Sequence, residues 1–194
     1  MTAASPFRIL GIAGSLRERS YNRALLRAAA ELAPEGTVVE IFDLRPIPVY
    51  NGDDDAESGG ERTTPDSVTA MRRALAEADA LLIATAEYNW GPSGVTKNAI
   101  DWASRPSAAS ALRHKPVAIM GCSRGPAGTG RAQLQLRQTL LSTRAHVLLE
   151  PDVQLGGNES LFDSELHLVD EPARDLVRHQ LEALVAWTHL LRTG

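Results

Sequence analysis

Short apolar runs alternate with amphipathic segments along most of the chain. The apolar runs predict buried strands near residues 7–13, 37–42, 80–86, 116–122 and 146–150. The segments between and after them predict helices near residues 20–33, 66–77, 94–103, 130–143 and 171–191. Strands that are apolar throughout and alternate with helices are typical of a parallel sheet covered on both faces. The pattern therefore predicts a three-layer α/β fold.

Two long connections interrupt this alternation. Asn51 to Pro65 is acidic and rich in glycine, and we interpret it as a mobile loop. Leu155 to Glu171 is the second connection, with Leu161, Phe162 and Leu166 as candidate anchors. The sequence does not assign a role to either segment.

Composition narrows the class of protein. The chain has 194 residues, a length that fits one domain over residues 1–194, and its net charge of −4 offers no basic stripe for nucleic acid. No apolar run approaches the roughly 20 residues of a membrane span, and Met1 to Pro6 is too short for a signal peptide. The single cysteine, Cys122, excludes an internal disulfide and fits a reducing compartment. We expect a cytoplasmic protein that binds neither nucleic acid nor membrane.

The loop after the first strand carries groups that suit a phosphate. A helix begins near Ser20, whose hydroxyl suits an N-cap, and a helix N-terminus presents unpaired N–H groups with a partial positive charge. The hydroxyls of Ser15 and Ser20, the Asn22 amide and the Arg17 guanidinium add further donors. An ordinary strand-to-helix turn is the alternative.

Two common nucleotide loops do not match this segment. A phosphate-binding P-loop needs a Gly-Lys-Ser/Thr sequence that is missing here. The dinucleotide fingerprint does not match because Gly11 and Gly14 are separated by two residues and no third glycine follows. Asp43, after the second strand, could serve as the acidic residue that binds the ribose in that motif, but the glycine spacing is missing.

The loop after the third strand is the most informative part of the chain. It begins with Glu87-Tyr88-Asn89-Trp90, passes through a Gly/Pro stretch, and opens a helix. Ligands of α/β sheets bind at the carboxyl ends of the strands. Flat aromatic surfaces beside amide and backbone hydrogen-bonding groups suit a planar heteroaromatic ring better than a metal or a lone phosphate.

Together these segments resemble the NADPH-dependent FMN reductases. The matching motifs are Gly14 to Arg17 with Ser20 to Asn22, Glu87 to Asn89, Lys97 to Pro106, and Lys115 to Gly125. The resemblance covers roughly residues 7–150. It implies a flavodoxin-like fold with a five-stranded parallel sheet in the order 2-1-3-4-5, and FMN at the switch point of that order.

The resemblance also implies the roles of individual residues. The phosphate end of FMN would contact Ser15, Leu16, Arg17, Ser20 and Asn22, the isoalloxazine edge Glu87, Tyr88, Asn89 and Trp90, and the pyrimidine side Ser123 and Gly125. Trp90 and Arg124 would border the pocket for NADPH or the acceptor. The chain departs from the family pattern at Ala86, Trp90, Pro92-Ser93 and Thr96.

The implied activity is an FMN-dependent NAD(P)H oxidoreductase that passes hydride from NADPH through flavin N5 to a small acceptor. Acceptors in the family include quinones, azo compounds, free flavin and metal oxyanions. A flavodoxin-type electron carrier, and a scaffold that kept the fold without the cofactor, are the alternatives. The resemblance further implies a homodimer or a dimer of dimers, for which we expect contacts through the helix at 94–103 and Trp102.

Other chemistries have little support in the sequence. The histidines at 114, 146, 167, 179 and 189 lack metal-ligand spacing, so no metal site is expected. No Gly-x-Ser-x-Gly elbow indicates a hydrolase. Cys122 has no His or Asp placed to activate it, so we expect a core residue and assign the chemistry to FMN rather than to a catalytic side chain.

Overall fold

The structure is a computed structural model that describes residues 5–193, so most of the Met1–Pro6 segment lies outside the described part. Its strands are β1 (Phe7–Ala13), β2 (Thr37–Phe42), β3 (Ala80–Ala84), β4 (Glu87–Tyr88), β5 (Gly91–Pro92), β6 (Pro116–Cys122), β7 (His146–Val147) and β8 (Val153–Leu155). Its α-helices are α1 (Tyr21–Glu31), α2 (Asp66–Glu77), α3 (Gly94–Ala103), α4 (Gly130–Ser142) and α5 (Glu171–Thr193).

A parallel sheet in the order β2-β1-β3-β6-β7 carries the fold. Phe7 pairs with Thr37 where β1 meets β2, and Ala84 pairs with Met120 where β3 meets β6. The chain reverses its direction of travel across the sheet after β2, so the switch point falls between β1 and β3. The predicted flavodoxin-like order is confirmed.

The fifth strand is shorter than predicted at 146–150 and is split in two. β7 ends at Val147, and β8 resumes the pairing with β6 from Met120–Val153 to Cys122–Leu155. Between them the Arg137 guanidinium donates hydrogen bonds to the carbonyl oxygens of Leu148, at 2.7 Å, and Leu149, at 3.4 Å. These side-chain contacts replace the strand ladder over the gap.

Helices cover the two faces of the sheet. One core cluster joins α1 and α5 to the sheet, and the other joins α2, α3 and α4 to its opposite face. Trp102 belongs to the second cluster, is fully buried, and donates from its indole nitrogen to the Pro48 carbonyl oxygen at 2.8 Å. The expectation that Trp102 is a subunit contact is therefore wrong, because its ring is part of the interior.

The acidic 51–65 segment is anchored by one buried ion pair. It contains 3₁₀ turns at Gly52–Asp54 and Ala56–Ser58, with Asp55 between them. The Asp55 carboxylate is fully buried and accepts two hydrogen bonds from Arg72 of α2, at 2.9 and 2.7 Å. Arg72 also donates to the Trp102 carbonyl oxygen at 3.0 Å. The Asp55–Arg72 pair thus anchors this segment to α2 and α3, whereas the sequence indicated a mobile loop.

Within residues 5–193, no helix combines the length and the apolar composition needed to cross a lipid bilayer.

Candidate functional site

A cavity of about 360 Å³ lies at the carboxyl ends of β1, β3 and β6. It gathers most of the predicted site residues, namely Ser15, Arg17, Ser20, Asn22, Glu87, Tyr88, Ser123, Arg124 and Gly125. It also includes residues that the sequence analysis did not assign to the site, namely Tyr21, Ala86, Cys122 and Asn158. Tyr21, Ala86 and Cys122 adjoin predicted motifs, whereas Asn158 carries no local signal.

The N-terminus of α1 forms one end of the cavity. Ser20 is its N-cap, as predicted, and the hydroxyl accepts a hydrogen bond from the Arg23 amide at 3.3 Å. The amides of Tyr21 and Asn22 precede the first intrahelical bond and have no partner within residues 5–193. Arg17 is exposed at the rim, and within residues 5–193 its guanidinium donates one hydrogen bond, to the Arg19 carbonyl oxygen at 3.4 Å. This end can therefore accept an anion.

The Asn22 side chain already has two partners. Its Nδ2 donates to the Cys122 carbonyl oxygen at 3.0 Å, and its Oδ1 accepts from the Cys122 amide at 2.9 Å. The amide therefore joins the start of α1 to the end of β6. The backbone N–H of Asn22, rather than its side chain, is the group presented to an anion.

Gly14 allows the loop after β1 to approach the loop after β3. A Cβ atom at Gly14 would collide with the Thr96 hydroxyl and would also approach the Ala86 amide. The Thr96 hydroxyl is in turn 3.0 Å from the Ser93 hydroxyl, which caps α3. The departure from the family pattern at Ser93 and Thr96 thus builds a polar support under Gly14.

The other end of the cavity is bordered by the β4–β5 hairpin, which the sequence indicated only as a loop. Asn89 and Trp90 form its tip with φ angles of 51° and 67°, in the left-handed region. The hairpin is held against α4, because the Gln135 amide donates to the Trp90 carbonyl oxygen at 3.0 Å. The predicted ring contacts Asn89 and Trp90 are not among the residues that line the cavity.

The Glu87 side chain bonds to α4. One carboxylate oxygen accepts from the Ala132 amide at 3.0 Å, so the side chain caps the N-terminus of α4. The other oxygen is 3.5 Å from the Arg131 guanidinium, which stacks over the exposed Trp90 ring at 5.0 Å. These contacts fix the hairpin in one position beside the cavity.

The loop after β6 closes the remaining side. The Ser123 amide donates to the Leu155 carbonyl oxygen at 2.9 Å, and the Ser123 hydroxyl donates to the Gly128 carbonyl oxygen at 2.5 Å. Arg124 is exposed and forms an ion pair with Glu159 at 3.0 Å. Leu16, a predicted phosphate contact, instead lines a separate pocket between α1 and β2.

The arrangement fits the parts of FMN. Backbone N–H groups and the Arg17 guanidinium at one end suit a phosphate dianion. At the other end, the exposed Tyr88 ring of the hairpin suits a planar ring. Burial raises the pKa of the Cys122 thiol to about 12, which keeps it protonated and unreactive. The cavity thus provides binding groups without a nucleophile.

A second, larger cavity of about 660 Å³ lies at the C-terminal ends of α3 and α4. Its lining includes part of the Lys97–Pro106 motif but none of the predicted site residues. It also does not lie at the carboxyl ends of the strands, where α/β sheets bind ligands. We therefore assign the smaller cavity as the functional site. Within residues 5–193, no cluster of three or more His, Cys, Asp or Glu side chains could hold a metal ion.

A flavodoxin-like sheet whose cavity at the switch point is bordered by a helix N-terminus with free amides and by an aromatic hairpin is the architecture of the nucleotide-binding α/β proteins, the class to which flavoproteins of this fold belong. The family model of the NADPH-dependent FMN reductases matches residues 7–159. The chain belongs to this family. It is a flavin-dependent NAD(P)H oxidoreductase with FMN as its cofactor and NAD(P)H as its electron donor.

Relatives agree over nearly the full chain. An NAD(P)H-dependent FMN reductase from Pseudomonas aeruginosa is 45% identical over 95% of this chain and 97% of its own length. An NADPH:quinone oxidoreductase from Arabidopsis thaliana is 39% identical over 97% of this chain and 95% of its own length. The solved structure of FerB, an NAD(P)H:(acceptor) oxidoreductase from Paracoccus denitrificans, superposes with a TM-score of 0.83 at 28% identity, over 94% of this chain and 97% of FerB. These relatives favour the oxidoreductase over the electron carrier that the sequence left open.

Proposed function

We propose that the chain reduces small quinones at the expense of NADPH, with FMN held in the cavity at the ends of β1, β3 and β6. The observation that supports this placement is the single cavity shared by the α1 N-terminus, the hairpin and the loop after β6. FMN held there would supply the hydride-transfer chemistry that links the nicotinamide to the acceptor. The quinone class is supported by the Arabidopsis relative, whose name states that acceptor.

In this proposal each part of the chain has one task. The amides of Tyr21 and Asn22, with Ser15 and Arg17, bind the phosphate. The backbone of Glu87 to Asn89 hydrogen-bonds one edge of the ring, and Ser123 and Gly125 contact the pyrimidine side. Tyr88 is 52% exposed, so the ring end of the cavity opens to solvent, where nicotinamide and acceptor can exchange.

Trp90 and Arg124 border the path of the nucleotide and the acceptor in this proposal. Trp90 lies outside the cavity but is 69% exposed beside it, with Arg131 stacked on its ring. It would form an outer wall against which planar acceptors pack. Arg124 is the exposed cation on the opposite loop.

The test is a comparison of acceptors with purified holoenzyme. We expect NADPH oxidation with 1,4-benzoquinone to exceed that with an azo dye, chromate or free FMN in kcat/KM. If the quinone is not preferred, the proposed acceptor is wrong while the oxidoreductase class stands. If NADPH does not bleach the flavin absorbance at all, the placement of the nicotinamide at this site is wrong.

We also propose that the chain forms a homodimer, alone or within a dimer of dimers, in the cytoplasm. With Trp102 buried, the exposed apolar residues of α4 replace it as the proposed contacts. Leu134 and Leu141 are 71% and 73% exposed and lie seven residues apart on one helix face. The lone, buried Cys122 supports a reducing compartment.

A further inference from the structure

Asn158 is a buried residue of the flavin cavity whose amide oxygen has no partner. The residue is 3% exposed, and its Oδ1 forms no hydrogen bond within the described residues 5–193. It lines the same cavity as Asn22 and Ser123. Leaving a buried acceptor unpaired is unfavourable, so most such groups in folded proteins find a donor. The orphan atom therefore points to a donor that the chain itself does not provide.

The position of Asn158 is set by close backbone contacts. Its amide donates to the Ser123 carbonyl oxygen at 3.3 Å, and its side chain lies beside the Cys122 thiol. Gly157 precedes it with a φ angle of 60°, a conformation that favours glycine. A Cβ atom at Gly156 would collide with the carbonyl oxygens of the loop at Gly125 and Pro126. The turn is thus pressed against the loop after β6.

The same segment is joined to the loop after β1. The Arg19 guanidinium donates to the Ser164 carbonyl oxygen at 2.9 Å, and the rings of Tyr21 and Phe162 pack with centroids 5.2 Å apart. The connection therefore contacts the loop that begins at Ser123 through Asn158, and the residues at the start of α1 through Phe162 and Ser164. It thus runs along the cavity from the ring end toward the phosphate end.

We propose that Asn158 Oδ1 accepts a hydrogen bond from a hydroxyl of the FMN ribityl chain. This inference rests on the proposed placement of FMN in the cavity. The phosphate dianion carries only acceptors, and the ring N–H belongs to the ring end, whereas the ribityl hydroxyls are donors between the two. Asn158 thus acts as a third anchor of the cofactor, and the connection from residue 155 to 171 is part of the flavin site.

The test uses the full chain stripped of flavin and three ligands that differ in the ribityl arm. FMN has the arm and the phosphate, riboflavin has the arm alone, and lumiflavin has neither. In Asn158→Ala, we expect the dissociation constants of FMN and riboflavin to rise about 3- to 10-fold, the effect of one neutral hydrogen bond, while that of lumiflavin stays unchanged. Fluorescence quenching of each flavin measures these constants.

A melting curve of the flavin-free chain separates binding from structure. The substitution removes an unpaired acceptor together with a weak side-chain hydrogen bond to the Cys122 thiol. We therefore expect the melting temperature without flavin to change little and the upward shift on adding FMN to shrink. Gln133→Ala is the control, since Gln133 Oε1 is also buried and unpaired but lies outside the cavity. It should leave flavin affinity unchanged.

Several results would overturn the proposal. They are an unchanged FMN affinity in Asn158→Ala, an equal loss for lumiflavin, or a flavin-free chain that melts lower while binding FMN normally. If the alanine variant does not fold, Asn158→Leu, which keeps a similar volume without the acceptor, should weaken riboflavin binding by the same factor, and an unchanged riboflavin affinity refutes the proposal. If the wild-type chain does not bind FMN, the placement of the cofactor fails first.

Discussion

At the scale of single residues, the phosphate end of the cavity depends on one guanidinium. Arg17 lines the cavity beside the free amides of α1, whereas Arg19 and Arg23 do not, and its only hydrogen bond within residues 5–193 is to the Arg19 carbonyl oxygen. It can therefore turn toward a bound phosphate without breaking an ion pair. Arginine forms two parallel, charge-assisted hydrogen bonds to phosphate, which makes the contact strong for an exposed group.

Replacing Arg17 with alanine should weaken FMN binding about 10- to 150-fold, because the charge-assisted fork is lost. Flavin fluorescence titration of the stripped protein measures the change. Arg19→Ala is the matched control, since Arg19 bonds to the Ser164 carbonyl oxygen rather than to the cavity. An unchanged FMN affinity in Arg17→Ala would refute the phosphate assignment.

NADPH should be preferred over NADH by about 5- to 30-fold in kcat/KM, and Arg124 should be the source of that preference. The two nucleotides differ in charge only at the 2′-phosphate. The Arg124–Glu159 ion pair is exposed, and exposed pairs contribute little, so the guanidinium can exchange its partner for a phosphate. The preference should fall with rising salt.

Steady-state kinetics with NADPH and NADH measure the nucleotide preference and test whether Arg124 is its source. In Arg124→Ala, kcat/KM for NADPH should fall toward the NADH value, which should hardly change. Glu159→Ala releases Arg124 and should leave the NADPH preference intact. A wild type that favours NADH would contradict the preference, and a preference that survives in Arg124→Ala would exclude that residue as its source.

At the scale of elements, the acidic 51–65 segment depends on the Asp55–Arg72 pair. The Arg72 hydrogen bonds hold the pKa of the Asp55 carboxyl below its ordinary value. A carboxyl with a lowered pKa in the folded state stabilises the fold above its unfolded pKa of about 3.9 and loses that contribution as the pH falls through the folded value. The contribution is therefore complete at neutral pH and disappears in acid.

Asp55→Asn should lower the free energy of unfolding at pH 7 by roughly 3–5 kcal/mol, because Arg72 loses its buried carboxylate and keeps the half-exposed Glu57 and the Trp102 carbonyl oxygen. The deficit relative to the wild type should shrink below about pH 4. Urea unfolding at several pH values measures both effects. Asp53→Asn removes an exposed carboxylate paired with Arg62 and should change stability by less than about 0.5 kcal/mol. Equal stability of Asp55→Asn and wild type would contradict the role of the pair.

Elements whose contacts are local could be predicted from the sequence, and those that depend on distant contacts could not. Strands that are apolar throughout were located by composition, and Ser20 was identified as a cap because its contacts are local. The split of the fifth strand was not predictable, since it depends on Arg137 reaching two carbonyl oxygens from another element. The burial of Trp102 and the entry of Asn158 into the cavity likewise depend on long-range packing, which leaves no periodic signal.

At the scale of the whole molecule, α4 presents the apolar surface proposed for the dimer. Leu134→Glu combined with Leu141→Glu should convert the dimer to a monomer, because like charges would face each other across a symmetric interface. Light scattering at micromolar concentration measures the mass. FMN affinity should stay within about threefold of the wild type, since neither leucine lines the cavity.

The control for the dimer prediction is Leu190→Glu, which places the same charge at a leucine of α5 that is 67% exposed. It should leave the mass unchanged. A wild-type monomer, or a double variant that remains a dimer, would show that α4 is not the contact surface.

The interrupted fifth strand has a consequence for how copies of the chain can meet. An open sheet edge is a template on which another chain can add a strand, and such addition leads to aggregation. On the β7–β8 side, only two or three consecutive residues hold strand geometry, and Pro151 between them has no amide hydrogen to donate. A foreign strand would therefore find no continuous row of partners there. The break shields this border of the sheet from fibre-like growth and leaves self-association on this side to the helices.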